Sequence, residues 1–106
     1  MRTPIYERHE SDVNGNPAGG VTVGRGFTIA WQNGPLAVDG VRREPNGAFV
    51  EDVIAAAIGR IEAYQASRFN CIENATALEH LVAAAEALDS RTKNRVARGV
   101  EGTHAR

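Results

Sequence analysis

The sequence predicts an α+β fold in which a small antiparallel β-sheet precedes an antiparallel hairpin of two helices. Apolar and polar residues alternate between residues 21 and 32, which is the period of a half-buried strand. From residue 49 onward the apolar period changes to 3.6, which is typical of amphipathic helices. The connector between the two helical segments spans only residues 67–70, and a connector this short requires the helices to run antiparallel.

Composition and length indicate one globular domain. The chain has 106 residues, of which 42% are hydrophobic and 24% charged, so it lacks the bias of a disordered protein. We expect a single domain over 1–106, with a β portion at 1–48 whose first residues are mobile, and the helical hairpin with its tail at 49–106. No apolar run reaches the roughly 18 residues of a membrane span, and the charged start lacks the apolar segment of a signal peptide. The single cysteine, Cys71, cannot form an intrachain disulfide, which suits a reducing cytoplasm.

Short strands and turns account for the first half of the chain. Residues 5–9 alternate weakly and are expected to form an edge strand, whereas the glycine-rich and asparagine-rich composition of residues 13–20 predicts a turn or mobile loop. Residues 21–38 are expected to form two or three strands. Turn signals occur at Asn33-Gly34, which is expected to close a hairpin, at Asp39-Gly40 and at 44–47. The β portion is therefore expected to be a small antiparallel ribbon or sheet.

Two amphipathic helices account for the second half. The first is expected from about Phe49 to about Ala66. The second is expected to begin near Cys71 with Asn70 as its N-cap, and to end at Gly99, a natural C′ residue. The stripe of the second helix comprises Asn74, Ala77, Leu78, Leu81, Ala84, Ala85, Leu88, Arg91 and Arg95. Both apolar stripes are wider than one partner helix needs, so we expect a homo-oligomer, at least a dimer.

The charge is distributed unevenly along the chain. Residues 1–90 carry seven arginines and twelve carboxylates, whereas residues 91–106 carry five cations and one carboxylate, Glu101. Proteins that bind DNA or RNA usually have a broad basic face, which most of this chain lacks. A small local patch of positive charge is better suited to a small anionic ligand. The alternative is that the negative end of a helix dipole simply attracts cations.

No catalytic or metal-binding pattern is present in the sequence. His9, His80 and His104 have no metal-ligand spacing with one another or with Cys71. The glycines of residues 19–26 match neither a phosphate-binding P-loop nor a dinucleotide fingerprint. No pair of carboxylates is placed for acid–base catalysis. We therefore expect a binding protein without catalytic residues, metal or cofactor.

A candidate binding site follows from the hairpin geometry. The hairpin brings Tyr64, at the end of the first helix, near Asn74, at the start of the second; an aromatic ring can stack on a base and an amide can recognise its edge. Arg91 and Arg95 lie at the far end of the second helix; at 1.5 Å per residue Arg91 is roughly 25 Å from Asn74, and Arg95 is further away. In an antiparallel dimer, the arginines of one subunit would meet Tyr64 and Asn74 of the other and bind phosphates. The alternative is that Tyr64 closes the core, Asn74 caps the helix and Arg91 is solvated.

Four segments of the sequence resemble a known family. They are GFTIAWQNGPL (26–36), NGAFVEDVIAAAIGRIEAYQ (46–65), CIENATALEHL (71–81) and RTKNRVARGVEGTH (91–104). They resemble the viral Thoeris anti-defence sponge proteins, specifically the type-one branch, which shares its helical hairpin with the anti-CBASS sponges. The resemblance covers roughly residues 26–104, and its most specific parts are the Glu-Asn-Ala segment at 73–75 and the tail.

The resemblance implies a phage protein that acts in the host cytoplasm. Such proteins bind cyclic ADP-ribose isomers made by bacterial TIR enzymes and sequester them without cleavage. The family forms dimers that can assemble into hexamers, and some members hold cyclic di- or trinucleotides in separate sites. No DNA, RNA or membrane partner is implied.

The resemblance also implies where the messenger binds. The family pocket lies between subunits and uses an aromatic residue, an asparagine and arginines, which correspond by motif position to Tyr64, Asn74 and Arg91, with Arg95 behind. Tyr64 stands where other members have phenylalanine, so stacking is kept and a hydroxyl is added. Further candidates from the loop and the tail are Arg68, Phe69, Thr103 and His104.

The sequence leaves three functional hypotheses. The first is a non-enzymatic messenger sponge with sites between subunits. The second is a protein-interaction adaptor whose wide apolar stripes bind a partner helix. The third, a small nucleotide hydrolase, lacks a visible base or metal set.

Overall fold

A computed structural model describes the whole chain, residues 1–106. It contains five strands and two helices, and the predicted α+β class is confirmed. The elements are β1 (Tyr6–Ser11), β2 (Pro17–Gly24), β3 (Phe27–Asn33), β4 (Ala37–Val38), β5 (Val41–Arg42), α1 (Val50–Gln65) and α2 (Ile72–Ala97). They form two compact units: a β unit of residues 1–49 and 100–106, and a helical unit of residues 50–99.

The β unit is built on a three-stranded antiparallel sheet in the order β1-β2-β3. The predicted edge strand is confirmed as β1. A two-residue turn at Arg25-Gly26 joins β2 to β3, since Gly24 pairs with Phe27. Gly26 has a φ of +87°, a conformation that glycine adopts without steric cost.

The predicted hairpin turn at Asn33-Gly34 is wrong. β3 ends at Asn33, and the segment that follows does not fold back on it. The outer edge of β3 is instead paired by residues that lie further along the chain. Ala48 N donates to Ala30 O at 2.7 Å, and the side chain of Asn46 bonds both the N–H and the carbonyl of Asn33 at 2.8 Å. Pro35 has no N–H, so the chain directly after Gly34 cannot donate a hydrogen bond to a ladder at that position. The segment 46–48 pairs with this edge of β3 instead.

The prediction of a loop over residues 13–20 is wrong for its second half, because β2 begins at Pro17. Gly19 and Gly20 have positive φ values of +86° and +133° and lie within the strand. A Cβ at Gly20 would lie 2.1 Å from the carbonyl oxygen of Arg8 on β1. Glycine here permits two strands to approach closely, whereas its abundance alone suggested a flexible loop.

A second, two-stranded sheet and the C-terminal tail complete the β unit. The predicted turn at Asp39-Gly40 joins β4 to β5, with both residues at positive φ. The tail residues 100–106 pack in this unit: Ala37 N donates to Gly102 O at 2.8 Å, and the guanidinium of Arg42 forms a bidentate ion pair with Glu101. This pair raises the pKa of Arg42, first through the hydrogen bond and then through the opposite charge.

The helical unit is the predicted antiparallel hairpin. At 1.5 Å per residue α1 is about 24 Å long and α2 about 39 Å, so about ten residues of α2 extend beyond the start of α1. The half-buried positions of α1 are Val53, Ile54, Ala57, Ile58, Ile61 and Gln65, and those of α2 are Asn74, Ala77, Leu78, Leu81, Ala84, Ala85, Leu88 and Thr92. The stripe predicted for α2 is therefore present, except that Thr92 rather than Arg91 continues it. In α1 the half-buried positions form one stripe, but Val50 and Tyr64, which were expected on it, are exposed.

Of the two ends of α2, only the N-terminal end differs from the prediction. Cys71, not Asn70, occupies the N-cap position, and its side chain makes no capping hydrogen bond. Asn70 instead donates its side-chain amide to Ser67 O at 2.8 Å, which stabilises the loop rather than the helix. The predicted C′ glycine is confirmed, since Gly99 has a φ of +72° and its N–H bonds Val96 O at 3.0 Å.

No apolar side chain of the chain is buried; the buried polar or charged residues are Thr22 and Arg95. The exposed large apolar residues of the helical unit are Val50, Tyr64, Phe69, Ile72, Val82 and Val96. Neither helix is long and apolar enough to cross a membrane.

Candidate functional site

The loop end of the helical hairpin, here called the hairpin tip (residues 64–74), is ordered by short polar side chains. Ser67 Oγ donates to Tyr64 O at 2.6 Å and accepts the N–H of Phe69 at 3.1 Å. Tyr64 O also accepts the backbone N–H of Ser67 at 3.0 Å, so the hydroxyl gives this carbonyl a second donor. The other bond satisfies a loop N–H that has no helical partner. Two aromatic residues are thus connected through one serine hydroxyl.

A second clamp joins the two helices at the tip. Gln65 Oε1 accepts the N–H of Cys71 at 2.9 Å, and Gln65 Nε2 donates to Cys71 O at 3.1 Å. The last turn of α1 therefore lies beside the first turn of α2. This places Tyr64 and Asn74 at the same end of the hairpin, as the short connector predicted.

Each aromatic residue of the tip is exposed, and its ring contacts the guanidinium group of an arginine. Tyr64 is 42% exposed and Phe69 64% exposed. The guanidinium carbon of Arg60 lies 5.0 Å from the ring centre of Tyr64, and that of Arg68 lies 4.7 Å from the ring centre of Phe69. Both distances are within cation–π range. The tip can therefore offer aromatic faces to a base and guanidinium groups to a phosphate.

The alternative in which Tyr64 closes the core does not match the structure, since its ring is exposed. Arg60 also donates its Nε–H to Tyr64 Oη at 3.2 Å. Arg60 was not among the residues predicted from the sequence. The signal that could have found it is the spacing of four residues on one helix, which brings side chains together.

Asn74 lies in the first turn of α2 and is half-buried. It does not cap the helix, because Cys71 holds that position. Its place beside the end of α1 fits an amide that recognises a base edge next to Tyr64.

The two predicted arginines of α2 lie away from the tip. Arg91 is exposed and Arg95 is buried, with 8% of its surface accessible. Both lie on the part of α2 that extends beyond α1, and Arg91 is roughly 25 Å from Asn74 along the helix. A single hairpin therefore does not bring Arg91 together with Tyr64 and Asn74.

The tail candidates belong to the β unit rather than to the hairpin. Thr103 Oγ1 donates to Val100 O at 2.6 Å and accepts the N–H of Ala105 at 3.2 Å. His104 Nδ1 accepts from Asn16 Nδ2 at 3.1 Å. Thr103 stabilises a local turn, and His104 contacts the β1–β2 connection.

That connection, residues 12–16, is organised by one carboxylate. Asp12 Oδ1 accepts the backbone N–H groups of Asn14 at 2.8 Å and Asn16 at 3.0 Å. These bonds, led by the backbone N–H of Asn16, lower the pKa of Asp12 below its ordinary value. The side chain of Asn16 and the nearby His104 contribute in the same direction.

One polar network crosses the main sheet. Trp31 Nε1 donates to Thr22 Oγ1 at 2.8 Å, Thr22 Oγ1 donates to Glu7 Oε2 at 3.0 Å, and His9 Nε2 lies 3.3 Å from the same Glu7 oxygen. A nucleophilic hydroxyl requires a base such as imidazole as its immediate partner. Here the carboxylate stands between hydroxyl and imidazole, so the network links three strands without forming a catalytic triad. No group of three His, Cys, Asp or Glu side chains is placed to hold a metal ion.

The comparisons with known proteins agree with the family resemblance. No family model matches the chain. The sequence is similar to the protein named Thoeris anti-defense 1 of Bacillus phage SBSphiJ7, with 39% identity over 106 residues, covering 96% of this chain and 72% of the relative. Identity at this level over nearly the whole chain shows common descent and an anti-defence role. The chain therefore belongs to the Thoeris anti-defence family of phage proteins.

Proposed function

We propose that this protein binds and sequesters cyclic ADP-ribose-type messengers made by bacterial TIR enzymes in the host cytoplasm, without cleaving them. The observation that carries the proposal is the pair of exposed aromatic–arginine contacts on the hairpin tip. A messenger of this kind combines a flat base with phosphates. Aromatic faces and guanidinium groups are complementary to those two features.

The base is held by stacking and by the amide. Tyr64 supplies an exposed ring, and Asn74 supplies donor and acceptor groups at the same end of the hairpin. Phe69 and Arg68 add a second ring and a second cation on the hairpin tip. Because base–aromatic stacking contributes about 1–3 kcal/mol per base, the ring of Tyr64 is expected to supply a large share of the affinity.

The phosphates are held by arginines from a second copy of the chain. Arg91, with Arg95 behind it, lies too far along α2 to reach Tyr64 of the same hairpin. In an antiparallel pair of hairpins, the arginine end of one copy meets the tip of the other. The absence of any buried apolar side chain supports association, because dimers or hexamers would cover the exposed apolar residues of the helices.

Sequestration requires slow release, and slow release follows from a closed site. Stacking, charge-assisted hydrogen bonds and exclusion of water by the second subunit act together in such a pocket. Binding of cyclic di- or trinucleotides at separate sites is a further part of the proposal. It is supported by the family resemblance alone.

The alternative function is a protein-interaction adaptor. It is favoured by the exposed apolar residues of α2, among them Ile72, which is 81% exposed. This alternative predicts a stable complex with another protein and no thermal shift with nucleotides. It assigns no role to the arginines stacked on the tip aromatics.

The test mixes the intact protein with the cyclic ADP-ribose isomers that a TIR enzyme produces, removes free ligand, and then digests the protein. Mass spectrometry identifies what is released. Intact messenger supports sequestration, an altered product indicates an enzyme, and no captured ligand contradicts the proposal. The same assay with cyclic di- and trinucleotides tests the separate sites.

A matched control uses the second tyrosine of the chain. Tyr6 is also exposed but lies on β1, outside the hairpin. Tyr6→Phe should capture the messenger as well as the wild type does.

A further inference from the structure

We infer that Arg60 is a positioning residue for Tyr64, which sets the tyrosine hydroxyl to donate a hydrogen bond to a phosphate or ribose oxygen of the messenger. The inference rests on the proposed function. It assigns a role to a residue that neither the sequence motifs nor the family resemblance singled out.

Two contacts hold Tyr64 to Arg60. Arg60 Nε donates to Tyr64 Oη at 3.2 Å, and the guanidinium carbon lies 5.0 Å from the ring centre. The residues are one helical turn apart on α1, so the contact is local to that helix. Arg60 forms no ion pair with a carboxylate, in contrast to Arg8, Arg42 and Lys93. No carboxylate therefore neutralises the positive charge of Arg60 beside Tyr64.

The direction of this hydrogen bond determines what Tyr64 offers to a ligand. A phenol hydroxyl carries one proton to donate and accepts through its oxygen, whereas a guanidinium only donates. Because Arg60 uses an acceptor position of Oη, the hydroxyl proton stays available for another partner. That partner must be an acceptor, and phosphate and ribose oxygens are the acceptors that a nucleotide messenger presents. The adjacent guanidinium adds positive charge at the same point.

Two other contacts of the chain show what is specific to this pair. Arg68 stacks on Phe69 at 4.7 Å, but phenylalanine has no hydroxyl to orient. Arg8 Nη1 lies 3.5 Å from Tyr6 Oη, a longer contact in the β unit. Of these three pairs, only Arg60 and Tyr64 combine a ring contact with a short hydrogen bond to the hydroxyl. Arg60 therefore acts on the hydroxyl of Tyr64.

The first experiment needs no ligand. Full-length protein carrying Tyr6→Phe is labelled with 3-fluorotyrosine, so that Tyr64 gives the single tyrosine ¹⁹F signal. Arg60→Gln should move this signal, because it removes the cation and the donor beside the ring, whereas Arg68→Gln should leave it in place. An unmoved signal in Arg60→Gln would overturn the inference.

The second experiment is a double-mutant cycle in messenger capture by the full chain. Arg60→Gln and Tyr64→Phe are each expected to weaken capture about tenfold, which is the effect of one hydrogen bond to a charged partner. If Arg60 acts through the hydroxyl, the double variant should be no more than about twofold weaker than either single variant. Arg60→Lys keeps the charge but not the Nε donor and should recover only part of the loss.

The outcomes separate this inference from the proposed function. A double variant weakened about a hundredfold would mean that Arg60 and Tyr64 act independently, which overturns the positioning role. Unchanged capture by Arg60→Gln would overturn it as well. If the wild type captures no messenger, the proposed function fails and the ligand role of Arg60 fails with it, while the fluorine signal still reports whether Arg60 holds Tyr64. Tyr6→Phe serves as the control that retains capture.

Discussion

The hairpin tip and the turn at residues 12–16 are both exposed loops ordered by side chain to backbone hydrogen bonds, yet they leave different groups exposed. In the turn, the carboxylate of Asp12 is occupied by two backbone N–H groups, and Asn16 by Asp12 and His104. In the tip, Ser67 and Gln65 satisfy the backbone, and the rings and guanidinium groups stay exposed. A loop whose backbone is hydrogen-bonded by polar side chains can leave its aromatic and arginine side chains exposed for a ligand.

The largest expected effect comes from removing the ring of the tip. Tyr64→Ala should weaken messenger capture about 10-fold to 100-fold, because stacking on an aromatic ring contributes about 1–3 kcal/mol per base. Isothermal titration calorimetry measures the loss. Tyr6→Ala removes an equally large exposed ring from the β unit and should bind normally. Wild-type affinity in Tyr64→Ala would remove the functional distinction between tip and turn.

The next effect tests whether the tip is completed by a second chain. Arg91→Ala should weaken capture about tenfold, since a charge-assisted hydrogen bond is lost. Asn74→Ala should also weaken capture. Neither variant should change the size of the oligomer in size-exclusion chromatography. Co-expressed Arg91→Ala and Tyr64→Ala chains should regain capture, because a mixed pair contains one site with both wild-type residues. If the mixture binds no better than its components, the site does not combine Tyr64 and Arg91 from different subunits.

A smaller effect concerns the serine that orders the tip. Ser67→Ala removes the bonds to Tyr64 O and to the N–H of Phe69, and should destabilise the loop by about 1 kcal/mol. Hydrogen exchange at the Phe69 amide should become faster. Ser90→Ala, at an exposed position of α2, is the matched control and should leave that exchange unchanged. Equal exchange in both variants would show that Ser67 does not order the tip.

The smallest effect concerns pH and the turn. The pKa of Asp12 lies below its ordinary value of 3.8 in the folded chain, so its ionised form stabilises the turn above that value. This stabilisation is lost as pH falls through the lowered pKa, in the range below 3.8. The amide signals of Asn14 and Asn16 should therefore shift in this acidic range, and the shift should be absent in Asp12→Asn. The same shift in Asp12→Asn would assign it to another group.

The helices were predictable because their signal is local. The change of apolar period at Phe49 and the glycine at position 99 predicted both helices to within one or two residues. The placement of Tyr64 and Asn74 at the same end of the hairpin followed from the four-residue connector in the same way. The contact between Arg60 and Tyr64 is local in the same sense, because residues four apart on a helix lie on the same face.

The strands were predicted less well because their partners are distant in sequence. The glycines at 19 and 20 suggest a loop, but in the fold they lie within β2, where the backbone of Arg8 approaches Gly20 closely. The free edge of β3 is taken by residues 46–48 rather than by a hairpin at Asn33-Gly34. Pairing of this kind depends on which segments meet in the folded chain.

By itself the sequence determined the α+β class, the two amphipathic helices, the short connector that places Tyr64 and Asn74 at the same end of the hairpin, and the family. Periodicity, turn residues and helix ends are set by interactions within a few residues, so they can be inferred along the chain. Only the tertiary structure decided the sheet register, the packing of the tail residue Glu101 against Arg42, and the exposure of the tip aromatics. These features depend on contacts between distant segments and on burial, which no local pattern encodes.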